Sequence, residues 1–195
     1  MMKSNYREIW ATPIAEYYLD DITIHNELVN IINNTSWGGD DSMNLFKEPC
    51  RFSEWVLDCV KDYTSKFNYP LKSASIQRGW CVLQHPFYDT FIHTHYTADI
   101  AAVYYVDVIP EHPPLEVIDP RPAHNFNMVH RKLCDGVNVG SGFSSIQIPV
   151  ATHKLILHPG YLHHGVSYNL TDKTRTVVAM NVMAKRDLSV KRFTC

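Results

Sequence analysis

From residue 71 onward the chain is a succession of short strand-forming runs, and this narrows its fold more than any other feature. Ile76–Leu83, Phe91–Val106, Leu115–Ile118, Ser144–Val150, Lys154–His158, Gly165–Tyr168 and Arg175–Ala184 are rich in β-branched and aromatic residues. Turns built from Pro, Gly, Asn and Asp separate most of them. With no helical pattern between them, these runs predict antiparallel sheets folded into a sandwich or jelly roll. Ahead of them, an opening strand is expected over residues 8–19, interrupted by Pro13. Ile24, Leu28, Ile31 and Ile32 then recur at helical spacing up to Asn33-Asn34. A second helix fits Ser53–Phe67, with Trp55, Val56, Cys59, Val60 and Tyr63 on one stripe. The expected class is α+β, mainly β: a jelly-roll core with two N-terminal helices packed on it. At 195 residues the chain is long enough for one domain with its own core. Residues 1–70 would hold the first strand and supporting helices and residues 71–195 the jelly roll. A long polar connection over 122–145 is the kind of loop that often carries function.

A net charge of −2 offers no electrostatic footprint for nucleic acid or an anionic membrane. No apolar run is long enough to span a bilayer, and the start, MMKSNYREIW, lacks a secretory apolar segment, so a cytoplasmic location is expected. The five cysteines are odd in number and none are spaced C-x-x-C, which suggests neither a disulfide framework nor a zinc knuckle.

Histidine is the conspicuous residue, with eleven in the chain. In Phe91-Ile-His-Thr-His-Tyr, strand alternation would put His93 and His95 on one face, where two imidazoles make a natural pair of metal ligands. A third ligand is offered by His164, where the chain re-enters a strand after the Pro159-Gly160 turn. Eleven residues later Arg175 opens the run RTVVAMNV, in which Arg175, Val177, Ala179 and Asn181 share a face. An inward arginine is costly unless it meets an anion, and its planar fork suits a carboxylate. Asp172 is the nearby acidic residue that could serve instead as a structural partner.

This order of features resembles the Fe(II)/2-oxoglutarate-dependent oxygenases, in particular a group of them common in marine phages and bacteria. Three segments carry the resemblance: IWATPIAEYYL, IHTHYTADIAAVYYV with LEVIDPRP, and LILHPGYLHHGVSYN with RTVVAMN. It implies a double-stranded β-helix, with Fe(II), 2-oxoglutarate and O2 as cofactors. His93, His95 and His164 fall on the metal positions, and Tyr105 and Arg175 fall on the co-substrate's distal carboxylate. The implied activity is hydroxylation of an amino acid, a peptide or protein, or a small metabolite, with release of succinate and CO2. No nucleic-acid or membrane partner is implied, and a homodimer stays open.

The chain departs from the family pattern at two points. Histidine stands where most members have the carboxylate of an H-x-D/E pair. Three imidazoles would then hold the metal, or one of the pair would bind alone, or Asp99 would reach in; halogenating chemistry, seen where the carboxylate is missing, stays open. Val177 stands where many members have serine. Two other readings remain. His93-x-His95-x-x-x-Asp99 with His164 also resembles a cupin, a metal-dependent dioxygenase or isomerase needing no 2-oxoglutarate, and a jelly roll can serve as a non-catalytic binding protein. Trp80 and Gln84 are expected on a core strand, Asp119-Pro-Arg121 in a turn, and His124 and His130 in the long loop. His163 is expected near the metal ligands or exposed, and Tyr96 facing away from the metal.

Overall fold

The computed structural model describes residues 12–35, 44–67, 69–118 and 145–189. In chain order the elements are β1 (Ala15–Tyr18), α1 (Ile22–Asn34), α2 (Arg51–Lys66), β2 (Leu71–Gln84), β3 (Thr90–His93), β4 (Ile100–Asp107) and β5 (Leu115–Ile118). They continue with β6 (Ser145–Ile148), β7 (Lys154–Pro159), β8 (His164–Val166) and β9 (Arg175–Arg186). One sheet runs β1-β7-β4-β9-β2 and the other β3-β8-β5-β6, and every pairing is antiparallel.

Strand alternation divides the larger sheet into two working faces. Ala102, Tyr104, Leu155, Leu157, Val178 and Met180 point outward and pack against α1 and α2 through Leu28, Phe52, Val56 and Val60. Val103, Tyr105, Ile156 and Val177 point the other way and meet Leu115, Val117, Ile148 and Val166 of the smaller sheet. Helices, five strands and four strands thus form three layers with an apolar seam at each contact. The architecture is a double-stranded β-helix carrying two helices on its larger sheet. Asp21 caps α1 by accepting the Thr23 backbone N–H at 2.9 Å, and Ser53 Oγ accepts the Cys50 N–H at 2.9 Å to open α2. That second cap starts α2 two residues before the expected Ser53.

Several boundaries differ from the sequence expectation. The first strand is Ala15–Tyr18, set by its pairing with β7 rather than by its longer apolar run; residues 8–11 lie outside the described residues. β2 begins at Leu71, because Leu71–Ser75 is held by pairing with the end of β9 despite weak strand propensity. β8 is His164–Val166 and stops before Tyr168, where the buried Asn169 amide turns the chain by donating to the Gln84 and Lys173 carbonyls. The connection expected over 122–145 lies outside the described residues except for Ser145, as do Arg121, His124 and His130. Among the described residues no helix is long and apolar enough to cross a membrane.

Candidate metal centre

β3 and β8 pair with His93 directly opposite His164, so two imidazoles meet across the strands. His95 arrives by a different route from the strand alternation expected for it. β3 ends at His93, and His95 sits in the following turn, where its N–H donates to the Gly160 carbonyl at 2.8 Å. Gly160 N–H in turn donates to the Asp99 carbonyl at 3.0 Å. The two backbones approach so closely that a Cβ on Gly160 would lie 2.0 Å from the Ala98 carbonyl oxygen. Only glycine lets the Pro159-Gly160 turn dock on the His95 loop.

The ligand-type nitrogens of His93, His95 and His164 lie within 4.8 Å of one another. Each Nδ1 already faces an oxygen: His93 the Phe91 carbonyl at 2.7 Å, His164 the Leu162 carbonyl at 2.9 Å, and His95 the Asn181 Oδ1 at 2.5 Å. An oxygen acceptor holds the proton on Nδ1, so each ring offers the lone pair of Nε2. Burial, then repulsion from His158, pushes the His164 imidazole down to about 3. Burial lowers His95 too, against the opposing pull of its Asn181 bond. Neutral imidazoles are the form that binds a metal. Trp80, expected merely on a core strand, stacks on the His95 ring at 5.8 Å.

Asn181 orients His95 without being a ligand candidate itself. Asn181→Leu is expected to weaken metal binding about 10- to 100-fold, measured by competition with a chromogenic chelator. Wild-type affinity in that variant would show that the bond does not set the ring.

Arg175 is 2% exposed and lies on the inner face at the start of β9. Its guanidinium carbon stands 5.1 Å from the centre of the Tyr105 ring. Arg175 Nε and the Tyr105 hydroxyl are both buried without a hydrogen-bond partner. Lys154 shows how this fold treats a buried cation that is structural: its ammonium meets Glu16 at 2.5 Å and the Pro149 carbonyl at 2.7 Å. Arg175 has no such carboxylate among the described residues, and Asp172 is exposed and unpaired with it. Burial lowers the arginine's proton affinity and raises that of Tyr105, and each partly offsets the shift of the other. Val177 packs into the apolar seam beside them.

Asp99 does not join the histidines; its carboxylate accepts the Ala184 N–H at 2.8 Å and secures the end of β9. That removes the carboxylate on which the cupin reading depended. Gln84 is structural, donating to the Tyr88 and Ser167 carbonyls. His163 and Tyr96 are exposed. His158, at the end of the expected Lys154–His158 strand, lies fully buried with its ring 4.5 Å from His164.

The three convergent imidazoles on this double-stranded β-helix make a candidate metal-binding site. The chain belongs to the family described as "Putative 2OG-Fe(II) oxygenase", whose profile matches residues 78–181, just over half its length. Its cofactors are accordingly Fe(II) and 2-oxoglutarate, and the side chains present fit them: three convergent imidazoles that could hold a metal, and a buried guanidinium with no carboxylate partner among the described residues. The fold is similar to that of HygX from Streptomyces hygroscopicus with nickel, 2-oxoglutarate and hygromycin B bound. That match has 12% identity and a TM-score of 0.60 over 88% of this chain and 83% of that one. AviO1 from Streptomyces viridochromogenes Tue57 matches at 14% identity and a TM-score of 0.57, over 93% and 92% of the two chains. The non-haem α-ketoglutarate-dependent carbocyclase SnoK from nogalamycin biosynthesis matches at 13% identity and 0.58, over 88% and 79%. No curated protein matches the chain in sequence.

Proposed function

We propose that the protein is a 2-oxoglutarate-dependent hydroxylase whose iron is held by His93, His95 and His164 and whose co-substrate is gripped by Arg175 and Tyr105. The observation that carries this reading is a buried arginine with no carboxylate partner among the described residues, in the same fold as three convergent imidazoles, two of them buried. When bound, Fe(II) and 2-oxoglutarate together supply the activation of O2, with succinate and CO2 as the co-substrate's products. The chain's own part is placement. Arg175 provides a two-pronged donor for the distal carboxylate, and the Tyr105 hydroxyl provides the second contact that Val177 cannot. The apolar seam of Val103, Ile156 and Val177 keeps water from the space between them.

An imidazole at His95 takes up the position that a carboxylate fills in most relatives, so no coordination position is left vacant for halide; this favours hydroxylation over halogenation. The substrate on this reading is an amino acid, a peptide or protein, or a small metabolite. Phe91 and Ile92, just before His93, have exposed side chains and Tyr96 is exposed in the next turn, so a substrate entering past His93 meets an apolar rim.

Anaerobic addition of Fe(II) and 2-oxoglutarate is expected to give a weak visible metal-to-ligand absorption. His164→Ala should abolish it by removing a metal ligand, and Arg175→Ala by removing the carboxylate grip. Bound metal with no such absorption in the wild type would mean that the keto acid does not chelate it, and the hydroxylase reading would fail.

A further inference from the structure

The interior holds a fourth imidazole that the ligand set does not use. We propose that His158 is a positioning residue of the metal centre, its Nε2 accepting a hydrogen bond from a water molecule on the metal. This rests on the reading that His93, His95 and His164 hold that metal.

Register places His158 where it can act. On the larger sheet Ala101 pairs with His158 of β7 on one side and with Asn181 of β9 on the other. The three residues form one row on the inner face, beneath the histidine cluster. Asn181 rises from one end of the row to His95, and His158 rises from the other to His164, with ring centres 4.5 Å apart and planes at 63°. Between them Ala101 contributes only a methyl group.

The polarity of the ring is fixed by its own backbone. His158 Nδ1 donates to the Pro159 carbonyl at 3.0 Å, so Nε2 is the acceptor nitrogen. That Nε2 is buried and has no partner among the described residues, in a residue that is 0% exposed. A buried acceptor left without a donor destabilises the fold, and among the described residues no donor reaches it. Direct ligation is not the answer, because among the described residues the convergent ligand atoms belong to His93, His95 and His164, and His158 stands outside that set. A group one layer behind the ligands, with a lone pair and no donor, matches a water whose O–H bonds are polarised by a cation. Ligand orientation and occupancy are commonly set from that layer.

The test uses the full chain loaded with Mn(II), comparing wild type, His158→Phe and His158→Gln. Electron–nuclear double resonance in D2O reports the deuterons of an ordered metal-bound water, and nitrogen couplings report bound imidazoles. His158→Phe is expected to lose the ordered deuteron signal and to bind Mn(II) about tenfold more weakly, with all three imidazole couplings kept. The metal-free Phe variant should melt no lower than wild type, since it removes an unpaired acceptor and preserves ring volume. His158→Gln keeps an acceptor and should recover the deuteron signal. Wild-type affinity and deuteron coupling in His158→Phe would overturn the proposal in favour of simple packing. Loss of a nitrogen coupling would overturn it in favour of direct ligation. A wild-type protein that binds no Mn(II) would instead defeat the three-histidine reading itself, whatever His158 does.

Discussion

Replacing Arg175 with Met is expected to yield a metal-free protein that melts at a higher temperature than the wild type and no longer holds 2-oxoglutarate. The two effects come from one fact. Arg175 is buried without a carboxylate partner among the described residues, so the fold bears the desolvation of a cation with no ion pair there to offset it. An unbranched apolar side chain of similar length fills the space without that cost, and such exchanges stabilise by roughly 1–4 kcal/mol. For a chain of this size each kcal/mol corresponds to about 2–4 °C in melting temperature. Binding moves the other way. Truncating one member of a buried charged pair costs about 2–5 kcal/mol, so the dissociation constant for 2-oxoglutarate should rise roughly 30-fold at least. Arg175→Lys keeps the charge but loses the fork, and should fall between the two. Calorimetric melting without ligand and titration of the Fe(II)-loaded protein with 2-oxoglutarate measure both arms. A variant that is destabilised yet retains 2-oxoglutarate affinity would identify Arg175 as a structural residue, and the proposed co-substrate site would be lost with it.

That arginine was legible in the sequence because its argument needed only strand parity: Arg175, Val177, Ala179 and Asn181 alternate into the interior as the run RTVVAMNV requires. The two-helix, many-strand layout was legible for the same reason, since each element carries its own period. His93 and His95 illustrate a limit. Parity on a continuous strand brings both to one side, and the structure does gather them, but His95 reaches the cluster from a turn fixed by the Gly160 contact. A glycine opposite a turn sixty-five residues away is a tertiary fact with no local signature. Asp99 failed as a candidate ligand for a similar reason, because the Ala184 N–H that occupies its carboxylate is eighty-five residues distant in sequence. Asn181 as the partner of His95, Trp80 against its ring, and His158 beneath His164 all depend on which strands are neighbours. The parity of Ile156 and His158 along β7 was available as a clue. Only the pairing of Ala101 with both His158 and Asn181 turns it into a position beside the metal.

The metal-free protein is expected to lose stability steeply as pH falls from about 6.5 toward 4, the loss beginning well above the range in which most acidic side chains titrate. Burial, then the neighbouring His158, pushes His164 down to about 3, and burial pushes His158 down to about 4. Both are almost wholly inaccessible to solvent. In the unfolded chain the same imidazoles titrate near 6.5. Above that pH both states hold them neutral and they contribute no pH dependence. Between 6.5 and the folded values the unfolded chain takes up protons that the folded protein refuses, so unfolding is favoured as the pH drops. Two such groups cost about 2.7 kcal/mol per pH unit through the middle of that window, on the order of 5 kcal/mol by pH 4.5. His95, shifted in the same direction, adds to the loss. Denaturant unfolding of the chelator-treated protein across pH 7.5 to 4.5 measures the slope directly. His158→Phe removes one of the two strongly shifted groups and should reduce the slope by nearly half. Stability that stays flat between pH 7 and 5 would mean that these imidazoles are hydrated or already charged in the folded state, and the dry interior on which their metal-binding form depends would not exist.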